Sequence, residues 1–202
     1  MSRAAGPIYT LRGAGPRPLV PQKGDVSTSR PTFALGVVMV GWLFFMMALA
    51  ALGGASGPGT AAPVTLDRGV IVTPAEGWTS AADIWNVGPG AVSLKRAGAV
   101  VVFAANSYDG TAGALLEDEV RQLRSQFSSF RSLPTGTLTV AGGIPAVNVL
   151  FSGTAESGQL EGELVAASWG GTGVVMVAVA PFGQLRQVQG DIDEMLAKLE
   201  IP

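Results

Sequence analysis

The chain has 202 residues, a net charge of −2, and neither cysteine nor histidine. These absences exclude disulfides, thiolate nucleophiles, Cys/His zinc sites and a serine triad with histidine as base. The charge is uneven: residues 1–30 carry five cations against Asp25 alone, which is +4 and leaves −6 on the remainder. A mildly acidic main part does not suggest nucleic-acid binding.

Residues 1–30 hold four glycines and four prolines among scattered apolar residues, and they read as a disordered basic cytoplasmic tail. Residues 31–54 are expected to form a transmembrane helix. No charge occurs between residues 31 and 66, and the apolar stretch runs from Phe33 through Trp42 to Leu52. Twenty residues rising about 1.5 Å each span roughly 30 Å, the thickness of a hydrocarbon core. The ten Phe, Leu and Val side chains favour insertion by roughly 3 to 6 kcal/mol in sum. The basic tail before the segment places the N-terminus inside and the long C-terminal part outside the plasma membrane. The rival reading is a signal peptide cleaved near Ala50, at Ala48-Leu49-Ala50. It requires an n-region of thirty residues and an overlong apolar run, so an uncleaved anchor is favoured. Either way the C-terminal domain is exported.

Residues 55–63 read as a flexible small-residue linker, and residues 64–202 as one extracytoplasmic domain large enough for a single core. Gly69 to Thr73 is expected as a strand stopped by Pro74, followed by a turn and a core Trp78. Ala91–Lys95 and Ala99–Ala105 read as a hairpin turning at Arg96-Ala97-Gly98. The second of these strands is apolar throughout, which predicts a central strand covered on both faces. From Thr111 to Phe130 the period changes. Leu116, Val120, Leu123, Phe127 and Phe130 share one helical face, with Asp109 or Thr111 as cap and acidic residues ahead of basic ones. Pro134 is expected to end that region.

Thr137–Val140, Ala146–Ser152, Gln159–Ser168 and Gly173–Ala180 then read as four strands with glycine turns, short enough to imply antiparallel pairing. Leu185, Val188, Ile192, Met195, Leu196 and Leu199 close the chain as a second amphipathic helix. The expected class is α+β: an antiparallel sheet packed with two amphipathic helices, behind an N-terminal transmembrane helix.

Four pieces carry a family resemblance: Gly69-Val-Ile-Val-Thr-Pro followed by Gly77-Trp78, the strand ending Phe103-Ala-Ala-Asn106, the turn Gly142-Gly-Ile-Pro-Ala146, and the final Leu196-Ala-Lys-Leu-Glu-Ile201. Together they resemble exported actinobacterial proteins of the PsbP-like fold, the LpqN-type envelope lipoproteins among them. Those lipoproteins are tethered through a lipidated cysteine, whereas this chain is expected to use its transmembrane helix. The resemblance covers roughly residues 66–202. It implies a non-enzymatic envelope role with proteins or small envelope ligands as partners, and it supplies no catalytic residues.

The residues themselves show no catalytic constellation. The exported part has only Lys95 and Lys198 for a Ser/Lys pair, and Lys95 is read as part of a solvated turn. Glu117, Asp118 and Glu119 are consecutive, as are Asp193 and Glu194 near Asp191. On a helix such neighbours diverge, so they read as surface charges rather than metal ligands. Glu161 and Glu163 share a strand face that reads as solvated. Gly170-Gly171-Thr172-Gly173 precedes a strand and reads as a hairpin turn rather than a phosphate loop. No catalytic, cofactor-binding or metal-binding residue is assigned, and no cofactor is expected. Trp85, Asn106, Tyr108 and Trp169 sit beside turns and form the candidate contact patch, against the plainer reading that they cap core edges. The expected function is a membrane-anchored docking domain for an envelope protein partner. The alternative is a carrier for a small apolar or lipid ligand.

Overall fold

The computed structural model describes residues 60–81, 90–155 and 158–202. The tail, the apolar segment with Phe33, Trp42 and Leu52, and also Trp85 lie outside the described residues. Among the described residues no helix is long and apolar enough to cross a membrane.

The frame is a seven-stranded antiparallel sheet in the order β3-β4-β5-β9-β8-β7-β6. Its strands are β3 (Thr79–Ser80), β4 (Ala91–Arg96), β5 (Ala99–Ser107), β6 (Ser129–Val140), β7 (Ile144–Ala155), β8 (Gly158–Trp169) and β9 (Thr172–Pro181). A small pair, β1 (Val64–Thr65) and β2 (Ile71–Val72), precedes them, and an isolated bridge from Ile71 to Glu200 ties β2 to the end of the chain. One helix packs on each face. Helix α1 (Ala112–Arg124) covers Leu164, Ala166, Val175 and Val177, while α2 (Leu185–Ala197) covers Val165, Ala167, Val174 and Met176.

Local chemistry accounts for much of this. Ala97 and Gly98 both have positive φ, the geometry of a two-residue hairpin turn whose twist matches its strands. Gly170 and Gly171 do the same between β8 and β9. Strand β5 is central, between β4 and β9, and nearly all buried, as its unbroken apolar run requires. Trp78 is fully buried, and the fold reaches back to Thr60, whose hydroxyl accepts from Gly77 N at 3.0 Å.

Three expectations are corrected. The first helix ends at Arg124 instead of running to Phe130. Ser125 Oγ donates to the Gln122 carbonyl at 2.6 Å and Ser128 Oγ to the Thr154 carbonyl at 3.0 Å, so hydroxyls draw the backbone out of the helix. Thr111 is the cap, accepting from Ala114 N at 3.2 Å. Phe127 and Phe130 instead join Phe151 in an aromatic cluster with centroids 5.5 to 6.0 Å apart. The cluster is seated on Gly153 and Gly162: a β-carbon on either would collide with Phe127 or Phe151 and with a neighbouring carbonyl. Second, the buried seam of α1 is Leu115, Glu119 and Leu123, with Leu116 and Val120 only half-buried on its flank. Third, Pro134 lies within β6 rather than ending a helix. The ladder shifts register between Pro134 and Gly136, a bulge at the sheet edge where a missing N–H is tolerated.

Candidate functional site

Strands β6 and β7 form one end of the sheet, and each helix packs on part of this hairpin. On each side a groove opens between a helix flank and this hairpin. The groove beside α1 has a volume of about 550 Å³, with Leu116 and Val120 facing Val147 and Val149, and Arg121 and Arg124 at its rim. Arg121 pairs with Asp118 at 2.8 Å, and Arg124 lies over the Phe130 ring at 5.5 Å.

The groove beside α2 has a volume of about 590 Å³. Its apolar wall is Leu138, Leu150, Leu185 and Leu196. Leu150 stands directly opposite Leu133 across the β6–β7 ladder, so both side chains leave the same face. Leu133 is 66% and Leu150 36% exposed, an uncovered cross-strand leucine pair at the mouth of the groove.

The polar wall of this groove corrects the expectation of a solvated Glu161–Glu163 face. Glu163 is only 4% exposed. Its two oxygens accept from Asn148 Nδ2 at 2.7 Å and Gln189 Nε2 at 2.8 Å. Glu161 accepts from Leu185 N at 2.8 Å, capping the start of α2 with a carboxylate where the helix dipole favours one. Gln189 also donates to Asp193 at 3.1 Å. Among the described residues none of these three carboxylates is in an ion pair, nor is Arg186, which lines the same groove.

Two further charges expected on the surface are structural. Asp191 Oδ2 accepts from the Trp78 indole N–H at 3.1 Å and from Arg96 at 2.6 Å, and Arg96 also donates to the Glu76 carbonyl at 2.8 Å. This cluster pins α2 to the segment before β3. Glu119 is 5% exposed between Leu115 and Leu123 and makes no hydrogen bond or ion pair among the described residues. Burial, aided by the adjacent Asp118 carboxylate, pushes its pKa up to about 7. Sequence periodicity missed it because its two charged neighbours hide it in an acidic run. The one available signal was its i, i+4 spacing from Leu115 and Leu123.

The sequence-nominated patch is divided. Asn106 pairs with Gly173, Ser107 with Thr172 and Trp169 with Thr172, so all three positions come to one end of the sheet. Tyr108 N donates to the Gly171 carbonyl at 2.9 Å, and its side chain packs over Gly173 beside Leu115 on the α1 face. Burial and Asp118 hold its phenol pKa above the usual value. Ser168 Oγ reaches the Gly110 carbonyl on that same face, so strand alternation sends Trp169, 54% exposed, to the other. The fourth member, Trp85, lies outside the described residues. The leucine pair and its groove were not singled out by sequence, because Leu133 and Leu150 become neighbours only through the register across the bulge.

No protein-family model matches the chain, and no curated protein matches it in sequence. Among solved structures it is similar to the cyanobacterial PsbP (CyanoP) of Synechocystis, with a TM-score of 0.50 and 13% identity over 75% of this chain and 99% of that one. LpqN, involved in cell envelope biogenesis of Mycobacterium tuberculosis, aligns with a TM-score of 0.45 and 11% identity over 72% of this chain and 87% of that one. The likeness to CyanoP shows a PsbP-like fold, mostly antiparallel sheet with two helices.

Proposed function

We propose that this is a single-pass plasma-membrane protein of the cell envelope, with its N-terminus in the cytoplasm and its PsbP-like domain outside. The domain acts as a non-catalytic docking module for another envelope or secretion component. The anchor rests on the uncharged run from Phe33 to Leu52 behind a +4 tail. The actinobacterial envelope setting rests on the sequence resemblance given above. The observation that carries docking is the exposed Leu133–Leu150 pair beside the α2 groove: a cross-strand pair that α2 leaves uncovered, presenting apolar surface near the sheet edge.

A photo-crosslinker placed at Leu150 of the full-length protein in intact cells is expected to yield a discrete protein adduct. The same probe at Trp169 is expected to yield none. Equal adducts from both positions, or none from Leu150, would overturn docking through this face. The intact mass of the membrane-extracted protein is expected to include residues 1–50, and a product beginning near Ala50 would replace the anchor with a cleaved signal.

The α1 groove favours a second reading, a carrier for a small apolar or lipid ligand. Its volume lies in the range of small-molecule sites and its walls are largely apolar, although it is open along one side. Native mass spectrometry of the protein purified from its own membranes tests this: a bound small molecule lost on Val147→Asp supports the carrier, and its absence counts against it.

A further inference from the structure

We infer that the partner segment seated in the α2 groove is cationic and leucine-bearing, an amphipathic Lys/Arg-rich stretch of another protein. This inference rests on the docking reading and specifies its occupant. The groove joins two features that rarely coexist without a reason. Its floor is leucine, continued outward by the exposed Leu133–Leu150 pair. Its wall carries Glu161, Glu163 and Asp193 against the single cation Arg186, and no ion pair neutralises any of them among the described residues.

Glu163 is the decisive member. Taking a carboxylate out of water is costly, and here it is compensated only by two neutral amides, Asn148 and Gln189. Each of its oxygens accepts one bond and retains a lone pair. The two amides also hold the carboxylate in a fixed position against α2, so its charge acts on the groove from a preorganised point in the wall. Glu161 is fixed likewise by Leu185 N, while Asp193 is exposed at the outer lip. The part of the chain beyond residue 30 carries −6, so the long-range field also draws cations toward this domain. A cationic segment with leucines at helical or strand spacing satisfies both walls. An acidic segment meets like charge, and a purely apolar one leaves the carboxylates to be desolvated without compensation.

The test uses the full-length protein in zwitterionic nanodiscs and two synthetic ten-residue peptides, one of Leu and Lys, the other with each Lys replaced by Glu. Each carries one benzophenone, and adducts on the protein are mapped by mass spectrometry. The Lys peptide is expected to label the neighbourhood of Leu138, Leu150 and Leu196, with yield falling steeply as salt rises. The double variant Glu161→Gln/Asp193→Asn is expected to weaken labelling at least tenfold, with a cooperative melt, lowered only by the lost cap charge on α2, showing that it folds. Leu150→Ser, at an exposed position, is expected to weaken it independently of salt. Equal labelling by both peptides, or Lys-peptide adducts mapping elsewhere, would overturn the cationic occupant. So would an inter-chain adduct from a crosslinker at Leu150, which would make the occupant a second copy. None of these peptide results alters the in-cell adduct at Leu150, so the docking reading and its occupant fail separately.

Discussion

Glu119→Gln is expected to raise the stability of the domain by about 3 kcal/mol at pH 8 and to leave it unchanged near pH 4. The wild-type glutamate occupies the apolar seam of α1 with its pKa raised from 4.5 to about 7. Below about pH 4.5 the residue is protonated in both folded and unfolded chains and has no pH-linked effect. Between pH 4.5 and 7 the unfolded chain ionises first, so stability falls as pH rises. Above pH 7 both states are charged and the penalty levels off at about 3 kcal/mol, from roughly 1.4 kcal/mol per unit of raised pKa. Glutamine keeps the shape and removes the charge. Urea titrations of both proteins at pH 4, 6 and 8 check this. A wild-type stability that does not decline between pH 5 and 7 relative to the variant would show that the carboxyl is solvated.

Trp78→Ala is expected to cost about 3 to 5 kcal/mol, the range for emptying a fully buried aromatic site. The loss has two parts. The ring fills space between the segment before β3 and the α2 layer, among the buried residues of that face. Its N–H also holds the Asp191 carboxylate, which without it keeps the Arg96 guanidinium as its partner. Trp78→Phe weights the two differently, since it keeps most of the packing and loses the whole hydrogen bond. It is expected to cost about 1 to 2 kcal/mol. Thermal melting of both variants against the wild type measures the split. An equal loss in the two would assign the whole effect to the Trp78–Asp191 contact.

The parts of the fold legible in sequence were those written in local chemistry. The β4–β5 hairpin was readable from Ala97-Gly98, the β8–β9 turn from Gly170-Gly171, and α2 from the spacing of Leu185, Val188, Ile192 and Met195. The β6 strand was only half legible. Its second half, Thr137–Val140, reads as a strand, but Ser129 and Phe130 fell inside the helical period read from Thr111 to Phe130, and only pairing to β7 decides between the two. The same limit hid the groove. Leu133, Leu150, Glu163 and Gln189 lie far apart in sequence, and each looks like an ordinary surface or core residue alone. Trp169 was visible because tryptophan beside a turn draws attention, but its face depends on strand alternation fixed by the β8–β9 register.

The placement of β5 has a consequence for how the chain is made. Its register sets Val100 opposite Val179 and Ser107 opposite Thr172, so its second edge is closed only by the last strand. Synthesis proceeds from the N-terminus, and the β4–β5 hairpin therefore emerges long before β9 exists. Until then the run Ala99–Ala105 has one open edge and two uncovered apolar faces, the features of an aggregation-prone segment. The strands β6 to β9, by contrast, follow one another through short turns and can assemble as they appear. The nascent chain is thus most in need of a chaperone while residues 108–181 are being made, and docking of β9 onto β5 is the step that ends that need.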